Sequence, residues 1–254
     1  MILGAQGYTI RMFMQQEADI RRSLRRVAEM GYKAVQISNI GAIDPKKLRE
    51  ICDENGLTIA LTHMNEARIL SDVEGVIREH EILGCRYVGI GGMPERYRAA
   101  PEWVPYFAED FLPPARKIRD AGLQFMYHNH NFEFERLQDG RKIMDSLLTQ
   151  FPADVMGFTL DTYWLQAAGC DICEWIERLH DRIPCVHFKD MTVAGMELRM
   201  APVGEGNLPW EKIVKTLRAC GKTEYVLVEQ DTCQESPFVC LKKSYDFLAG
   251  MGLK

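Results

Sequence analysis

Strand-like and helical runs alternate along the whole chain, and this alternation limits the possible folds more than any single residue does. The first strand-like run, Ile2–Gln6, precedes a helical segment, Glu17–Met30, with Ile20, Leu24 and Val27 on one face and Gly31 closing it. Strand Ala34–Ile37 leads to helix Pro45–Asn55, opened by Asp44 as cap with Pro45 in the first position. Strand Leu57–Thr62 lands on His63, and Ser71 with Glu74 reads as a capping box for helix Asp72–Leu83. After strand Tyr87–Ile90, the helical stretch Trp103–Ala121 contains Pro113-Pro114, which predicts a kink or two pieces. Strand Leu123–His128 is followed by helix Lys142–Thr149, and strand Gly157–Asp161 by helix Ile172–Asp181. Cys185–Lys189 with Trp210–Ala219, then Tyr225–Glu229 with Phe238–Leu248, complete the series.

Eight such units in 254 residues predict an α/β fold: a single (β/α)8 TIM barrel, one domain over residues 1–254. A doubly wound open sheet is the alternative, but Gly89-Ile90-Gly91-Gly92 lacks the spacing of a dinucleotide-binding turn. No linker or low-complexity run divides the chain. A net charge of -5 argues against a nucleic-acid surface or an anionic-membrane surface. No apolar run is long enough to span a bilayer, and the N-terminus lacks the basic start of a secretion signal. The cysteines are scattered, which predicts reduced thiols and a cytoplasmic location. Cys170 and Cys173 have CxxC spacing without a second pair, so packing at a helix start is the expectation there.

In barrels of this kind, chemistry gathers where the strands end. The third strand ends in His63, and the fifth runs into His128, His130 and Glu133. The sixth ends in Asp161, the seventh holds His187 and Lys189, and the eighth ends in Glu229. Four of the six histidines fall at this rim; His80 and His180 lie in helical segments. Glu133, Asp161, His187 and Glu229 come from four consecutive strands. They form a mostly oxygen donor set suited to one divalent metal ion: manganese, magnesium or cobalt, with zinc as a further choice. The alternative is a salt-bridge network across the mouth, with Lys189 or Arg199 as the cation.

The phrases Tyr127–Glu133, Leu160–Trp164, Val186–Asp190 and Pro202–Trp210 resemble the sugar phosphate isomerase/epimerase family, as do Leu3–Gln6 and Tyr8–Arg11. That family belongs to the xylose isomerase-like barrel superfamily, with endonuclease IV, inosose isomerases and dehydratases, and ketose 3-epimerases. The resemblance implies a divalent metal, manganese first, on Glu133, Asp161, His187 and Glu229. It makes Glu133 and Glu229 the catalytic groups that move the substrate's proton, and it implies a homodimer. His63, His128, His130, Trp164, Lys189 and Arg199 are the candidate substrate contacts. Two positions depart from the ketose 3-epimerases: Trp164 replaces a histidine and Val193 replaces a sugar-binding arginine.

The resulting expectation is an isomerase or epimerase that moves a proton beside a carbonyl through an enediolate. Its partner would be a small-molecule sugar: a keto-sugar, keto-glycoside or keto-inositol. A metal-dependent lyase or dehydratase shares the first step and is the alternative. A non-catalytic sugar-binding barrel stands further off, as does an endonuclease IV-like nuclease, which needs more histidines than this rim supplies. The glycine-rich Val203–Asn207 reads either as a lid or as a tight connection into the following helix.

Overall fold

The computed structural model describes residues 1–98 and 103–254. Its parallel strands are β1 (Ile2–Gln6), β2 (Ala34–Ser38), β3 (Thr58–His63), β4 (Tyr87–Ile90), β5 (Gln124–His128), β6 (Met156–Asp161) and β7 (Cys185–Phe188). An antiparallel hairpin follows, β8 (Asp190–Ala194) with β9 (Glu197–Ala201), and then the last parallel strand, β10 (Tyr225–Val228). Pairing of β1 with β10, from Ile2↔Tyr225 to Ala5↔Val228, seals the ring. The sheet is therefore a closed barrel, not an open doubly wound one. Among the described residues, no helix is long and apolar enough to cross a membrane.

The helices form where capping and periodicity agree. Helix α1 (Glu17–Met30) buries Ile20, Leu24 and Val27 and stops at Gly31, whose φ of 115° is left-handed. Helix α2 (Pro45–Glu54) is capped by the Asp44 carboxylate, which accepts from the Lys46 and Lys47 N–H groups. A short helix α3 (Glu66–Ser71) precedes α4 (Val73–Leu83). The expected Ser71 cap is corrected here: Asp72 accepts the Gly75 N–H, while the Ser71 hydroxyl donates back to the Ala67 carbonyl.

Helix α5 (Trp103–Asp120) runs through Pro113 and Pro114 without dividing. The carbonyls these prolines leave unpaired belong to Glu109 and Asp110, both on the solvent side. Each proline costs about 3 kcal/mol in a helix interior. Burial of Val104, Phe107, Phe111 and Ile118, at about 1.5–3 kcal/mol each, offsets that. The remaining helices are α6 (Ile143–Gln150), α7 (Thr162–Ala167), α8 (Ile172–Arg178), α9 (Trp210–Cys220) and α10 (Pro237–Gly250). All eight cysteines are unbridged, and Cys170 and Cys173 are buried about the start of α8.

Side chains alternate along each strand between the barrel interior and the helix layer. Ala34, Leu61, Tyr87, Met126, Cys185 and Leu227 pack together inside the barrel. One or two steps of two along β5, β7 and β10 from Met126, Cys185 and Leu227 lie His128, His187, Lys189 and Glu229. Cross-strand pairing sets the heights: His128 stands opposite Thr159, and Asp161 opposite His187. The apolar plug thus lies below, and the titratable residues at the C-terminal mouth.

Asp190 follows this layer and organises the loop behind it. Its buried carboxylate accepts backbone N–H bonds from Gly204 (2.9 Å), Gly206 (3.1 Å) and Leu208 (3.2 Å), and the Trp210 indole N–H at 2.6 Å. A Cβ on Gly206 would lie 2.2 Å from Asp190 Oδ1, so only glycine permits this approach. The 203–207 stretch is accordingly the tight connection of the two readings.

Candidate metal centre

Inward parity brings His128, Asp161, His187 and Glu229 together, each buried, with one donor atom from each within 4.8 Å of the others. The Asp161 carboxylate divides its work. Oδ1 caps α7 by accepting the Trp164 N–H at 3.0 Å, while buried Oδ2 faces the Lys189 ammonium at 3.3 Å. Buried Glu229 Oε2 lies 2.9 Å from His187 Nδ1 and 2.9 Å from the Lys189 ammonium, which holds it as an ion pair. His187 Nδ1 is 3.7 Å from Asp161 Oδ2, and His128 Nε2 is 4.0 Å from the same oxygen. A divalent cation held among the four donors could take the place that the Lys189 charge now fills.

The far sides of both rings support this assignment. The carbonyl oxygen of Thr159 can only accept, so at 3.3 Å it places the proton of His128 on Nδ1 and leaves Nε2 a lone pair. Gln36, inward on β2, places its Oε1 2.7 Å from His187 Nε2, fixing a proton there and turning Nδ1 toward the carboxylates. Asn129 accepts the Asp161 backbone N–H at 3.1 Å through Oδ1. Gln36 and Asn129 are absent from the sequence-based candidates, although the parity of β2 points Gln36 inward.

Electrostatics match the geometry. Burial alone would depress the His187 pKa, but Glu229 and Asp161 outweigh it and lift the value to about 9. Burial would raise Glu229, yet Lys189 and His187 hold it well below the usual carboxylate range. The Lys189 ammonium lies 2.9 Å from Glu229 Oε2, 3.3 Å from Asp161 Oδ2 and 3.1 Å from Asp231 Oδ1. Those carboxylates overcome burial and raise its pKa. Burial keeps the neighbouring rings neutral, His128 well below 6.5, His63 near 3 and His130 near 4.

Glu133, the expected first ligand, stands apart from the other three. It lies in a 3-10 turn, Phe132–Phe134, beyond the end of β5. Its Oε1 accepts from the Tyr127 hydroxyl at 2.7 Å and its Oε2 from the His130 N–H at 2.8 Å. Tyr127 points opposite to His128, and the converging group that could hold a metal has His128 as its fourth member in place of Glu133. Burial raises the Glu133 pKa to about 7, against the opposing pull of those two hydrogen bonds.

A cavity of about 900 Å³ opens above the centre, lined at this end by Glu229, Asp231, Lys189, His63, His128 and His130. His63 Nε2 and His130 Nδ1 are buried without partners. Gly92 leaves room for the His130 ring, since a Cβ there would lie 2.9 Å from it. Trp164 stands against His130, with ring centroids 5.1 Å apart. Arg199 does not join the site. It projects from the exposed hairpin and pairs with Glu197 at 3.1 Å, and Val193 is exposed on the same hairpin.

A closed eight-stranded barrel with a buried His/Asp/His/Glu cluster at its C-terminal mouth defines a class of barrel whose site can hold a metal. The chain belongs to the xylose isomerase-like TIM barrel family, whose sequence profile matches residues 24–247. It is 22% identical over 269 residues to a protein named inosose dehydratase from Lacticaseibacillus casei, with 91% of this chain and 89% of that protein covered. A sugar phosphate isomerase/epimerase from Parabacteroides distasonis superposes with a TM-score of 0.79 at 23% identity, covering 97% of this chain and 92% of that one. D-psicose 3-epimerase from Clostridium cellulolyticum superposes with a TM-score of 0.72 at 15% identity, covering 100% of both chains. At these identities, the two solved structures speak for the fold alone.

Proposed function

We propose that this protein is a divalent-metal-dependent enzyme that removes the proton beside a ketone on a sugar, and that β-elimination follows. His128, Asp161, His187 and Glu229 would hold the metal, with manganese the first candidate. When bound, it supplies Lewis-acid stabilisation of the charge that develops on the carbonyl oxygen. The observation that carries the reading is the convergence of four buried donor groups at one point below the cavity.

Glu229, held ionised by Lys189, faces the cavity and takes the proton. Lys189 donates to oxygens that gain charge, and His63 and His130 offer bare ring nitrogens to sugar hydroxyls. Elimination needs only one carboxylate on one face. Glu229 receives the carbon-bound proton, the carbon–oxygen bond at the β position breaks, and the departing oxygen takes the proton from Glu229. An epimerase needs a second group to return the proton from the other side. Glu133, expected in that role, is closed off by Tyr127 and His130. This favours the lyase over the isomerase or epimerase, and the dehydratase name of the Lacticaseibacillus relative agrees. The unpartnered Nδ1 of His130 favours the epimerase as the second reading, because a neutral imidazole beside the cavity can take the proton from one face while a protonated Glu229 returns one on the other.

The test is incubation of the manganese-loaded protein with methyl 3-keto-β-glucoside in D₂O, followed by NMR. Release of methanol with an unsaturated ketone, abolished in Glu229→Gln, is the expected result. Deuterium incorporation without methanol release assigns the epimerase. Neither change on any keto-sugar overturns the enzyme reading.

A further inference from the structure

The segments that follow β5 and β6 meet at Lys142 and Cys170. Lys142 pairs with Arg136 across a short antiparallel bridge and opens α6, while Cys170 lies between α7 and α8. The Lys142 ammonium donates to Cys170 Sγ at 3.3 Å, across a sequence separation of 28. It also stands over the ring of Trp175 at 5.1 Å and that of Phe134 at 5.7 Å. Both backbones are held in place. The Cys170 N–H donates to the Leu165 carbonyl at 3.0 Å, and the Lys142 N–H to Asp145 Oδ2 at 2.8 Å.

Charge does not account for this placement. A lysine head ordinarily finds a carboxylate or water. Asp145, on the same helix, is engaged elsewhere: besides the backbone bond, its Oδ1 lies 2.7 Å from Arg178. Arg178 also covers the Trp175 ring, at 4.6 Å. Two cations therefore share one indole, and Lys142 meets sulfur in place of an anion. Cation–π attraction explains an ammonium over the rings, but not a thiol brought against it. The CxxC spacing adds a distinction between its two members. Both cysteines are buried, yet Cys170 has the amine at its sulfur, whereas the Cys173 N–H caps on Asp171 Oδ1 at 2.8 Å.

We propose that Lys142 and Cys170 form an oxidation site, at which one oxygen atom joins the lysine nitrogen to the cysteine sulfur as a reducible N–O–S bridge. Dioxygen is the oxidant. One of its atoms forms the new N–O and O–S bonds, and the other leaves as water. The ammonium and the thiol together lose three hydrogens: two enter that water and the third departs as a proton. Nitrogen and sulfur give up two electrons each, and dioxygen takes all four. Two equivalents of a dithiol reverse the change, restoring amine and thiol and releasing the bridging oxygen as water. The bridge ties the segment carrying Glu133 to the one carrying Asp161 and Trp164, and it stands independently of the reaction at the barrel mouth.

The test incubates the full chain in air-saturated buffer without thiols, with an argon-handled, dithiothreitol-treated sample beside it. Tryptic digestion and mass spectrometry then look for a peptide joining Lys142 to Cys170, heavier than its two parts by one oxygen less two hydrogens. The expected result is that this species forms in air, disappears on dithiothreitol treatment, persists in Cys173→Ser and is absent from Lys142→Arg and Cys170→Ser. Closing that stretch of chain should also raise the melting temperature of the oxidised wild type over the reduced form by about 5–10 °C, a gain both bridge variants lack. A Cys170–Cys173 disulfide that forms equally in Lys142→Arg overturns the proposal. Cys170 sulfinic acid beside an unmodified Lys142 overturns it too, as does a wild type unchanged by air.

Discussion

The regions around Glu229 and Glu133 contain the same buried side chain and use it in opposite ways. Glu229 follows β10 in the inward parity of Tyr225 and Leu227 and meets Lys189 and His187. Both cationic groups approach the same oxygen, Oε2, at 2.9 Å. Glu133 sits beyond the end of β5 and gives both oxygens to neutral donors, the Tyr127 hydroxyl and the His130 N–H. Cations hold the first as an anion, while burial raises the second to a pKa of about 7. Position relative to the strand end, more than residue type, decides which carboxylate can serve a metal.

The comparison breaks most visibly at the centre itself. Asp161→Ala removes a convergent oxygen and the α7 cap together, and is expected to lower activity by at least about a thousandfold with loss of bound manganese. Steady-state assay and metal analysis of the purified protein check this. Next in size is Gln36→Leu, which removes the acceptor behind His187. Manganese affinity is expected to fall about 10- to 100-fold, as is usual when such a partner is lost, with the fold retained by circular dichroism.

Acidity acts on the Glu229 side in a predictable direction. Below its pKa of about 9, His187 carries a proton on the nitrogen a metal would use. Metal affinity should therefore rise with pH, by up to about tenfold per unit, and level off as pH approaches 9. Calorimetric titration at pH 6, 7 and 8, with proton release measured in buffers of different ionisation enthalpy, reads both quantities.

The Glu133 side should respond in stability and not in metal binding. Its folded pKa of about 7 lies above an unfolded value near 4.5, so the folded state binds more protons between them. Wild-type stability from this group therefore falls as pH rises through that window. The amide in Glu133→Gln cannot ionise, so in urea unfolding this variant should gain on the wild type by roughly 2–3 kcal/mol between pH 4.5 and pH 8. A constant difference across that range would count against a buried, metal-free carboxylate.

Much of this molecule is legible in its sequence because two periodicities carry it. The barrel strands appear within a residue or two of their expected places, since each is an apolar run ended by glycine, a cap or a titratable group. What escapes prediction is local. The β8–β9 hairpin exposes Val193, Met196 and Leu198 and so shows no buried face; the turn at Gly195-Met196 is its one signal. Within the site, Asp161, His187 and Glu229 fall where strand ends suggest. The rim residues and the family resemblance alike set Glu133 at the metal, and the resemblance sets His128 toward the substrate, against the strand's own parity. Counting by two from Met126 selects His128, and nothing in the sequence reveals that Tyr127 would reach Glu133 from the opposite face. Arg199 fails for the related reason that the unforeseen hairpin carries it into solvent.

The central claim is that His128, and not Glu133, completes the centre with Asp161, His187 and Glu229. Manganese titration of His128→Ala and Glu133→Gln by calorimetry at pH 8 tests it most directly. The account predicts at least about a hundredfold weaker binding in His128→Ala and a change within threefold in Glu133→Gln. Tight binding retained by His128→Ala together with loss in Glu133→Gln would contradict it.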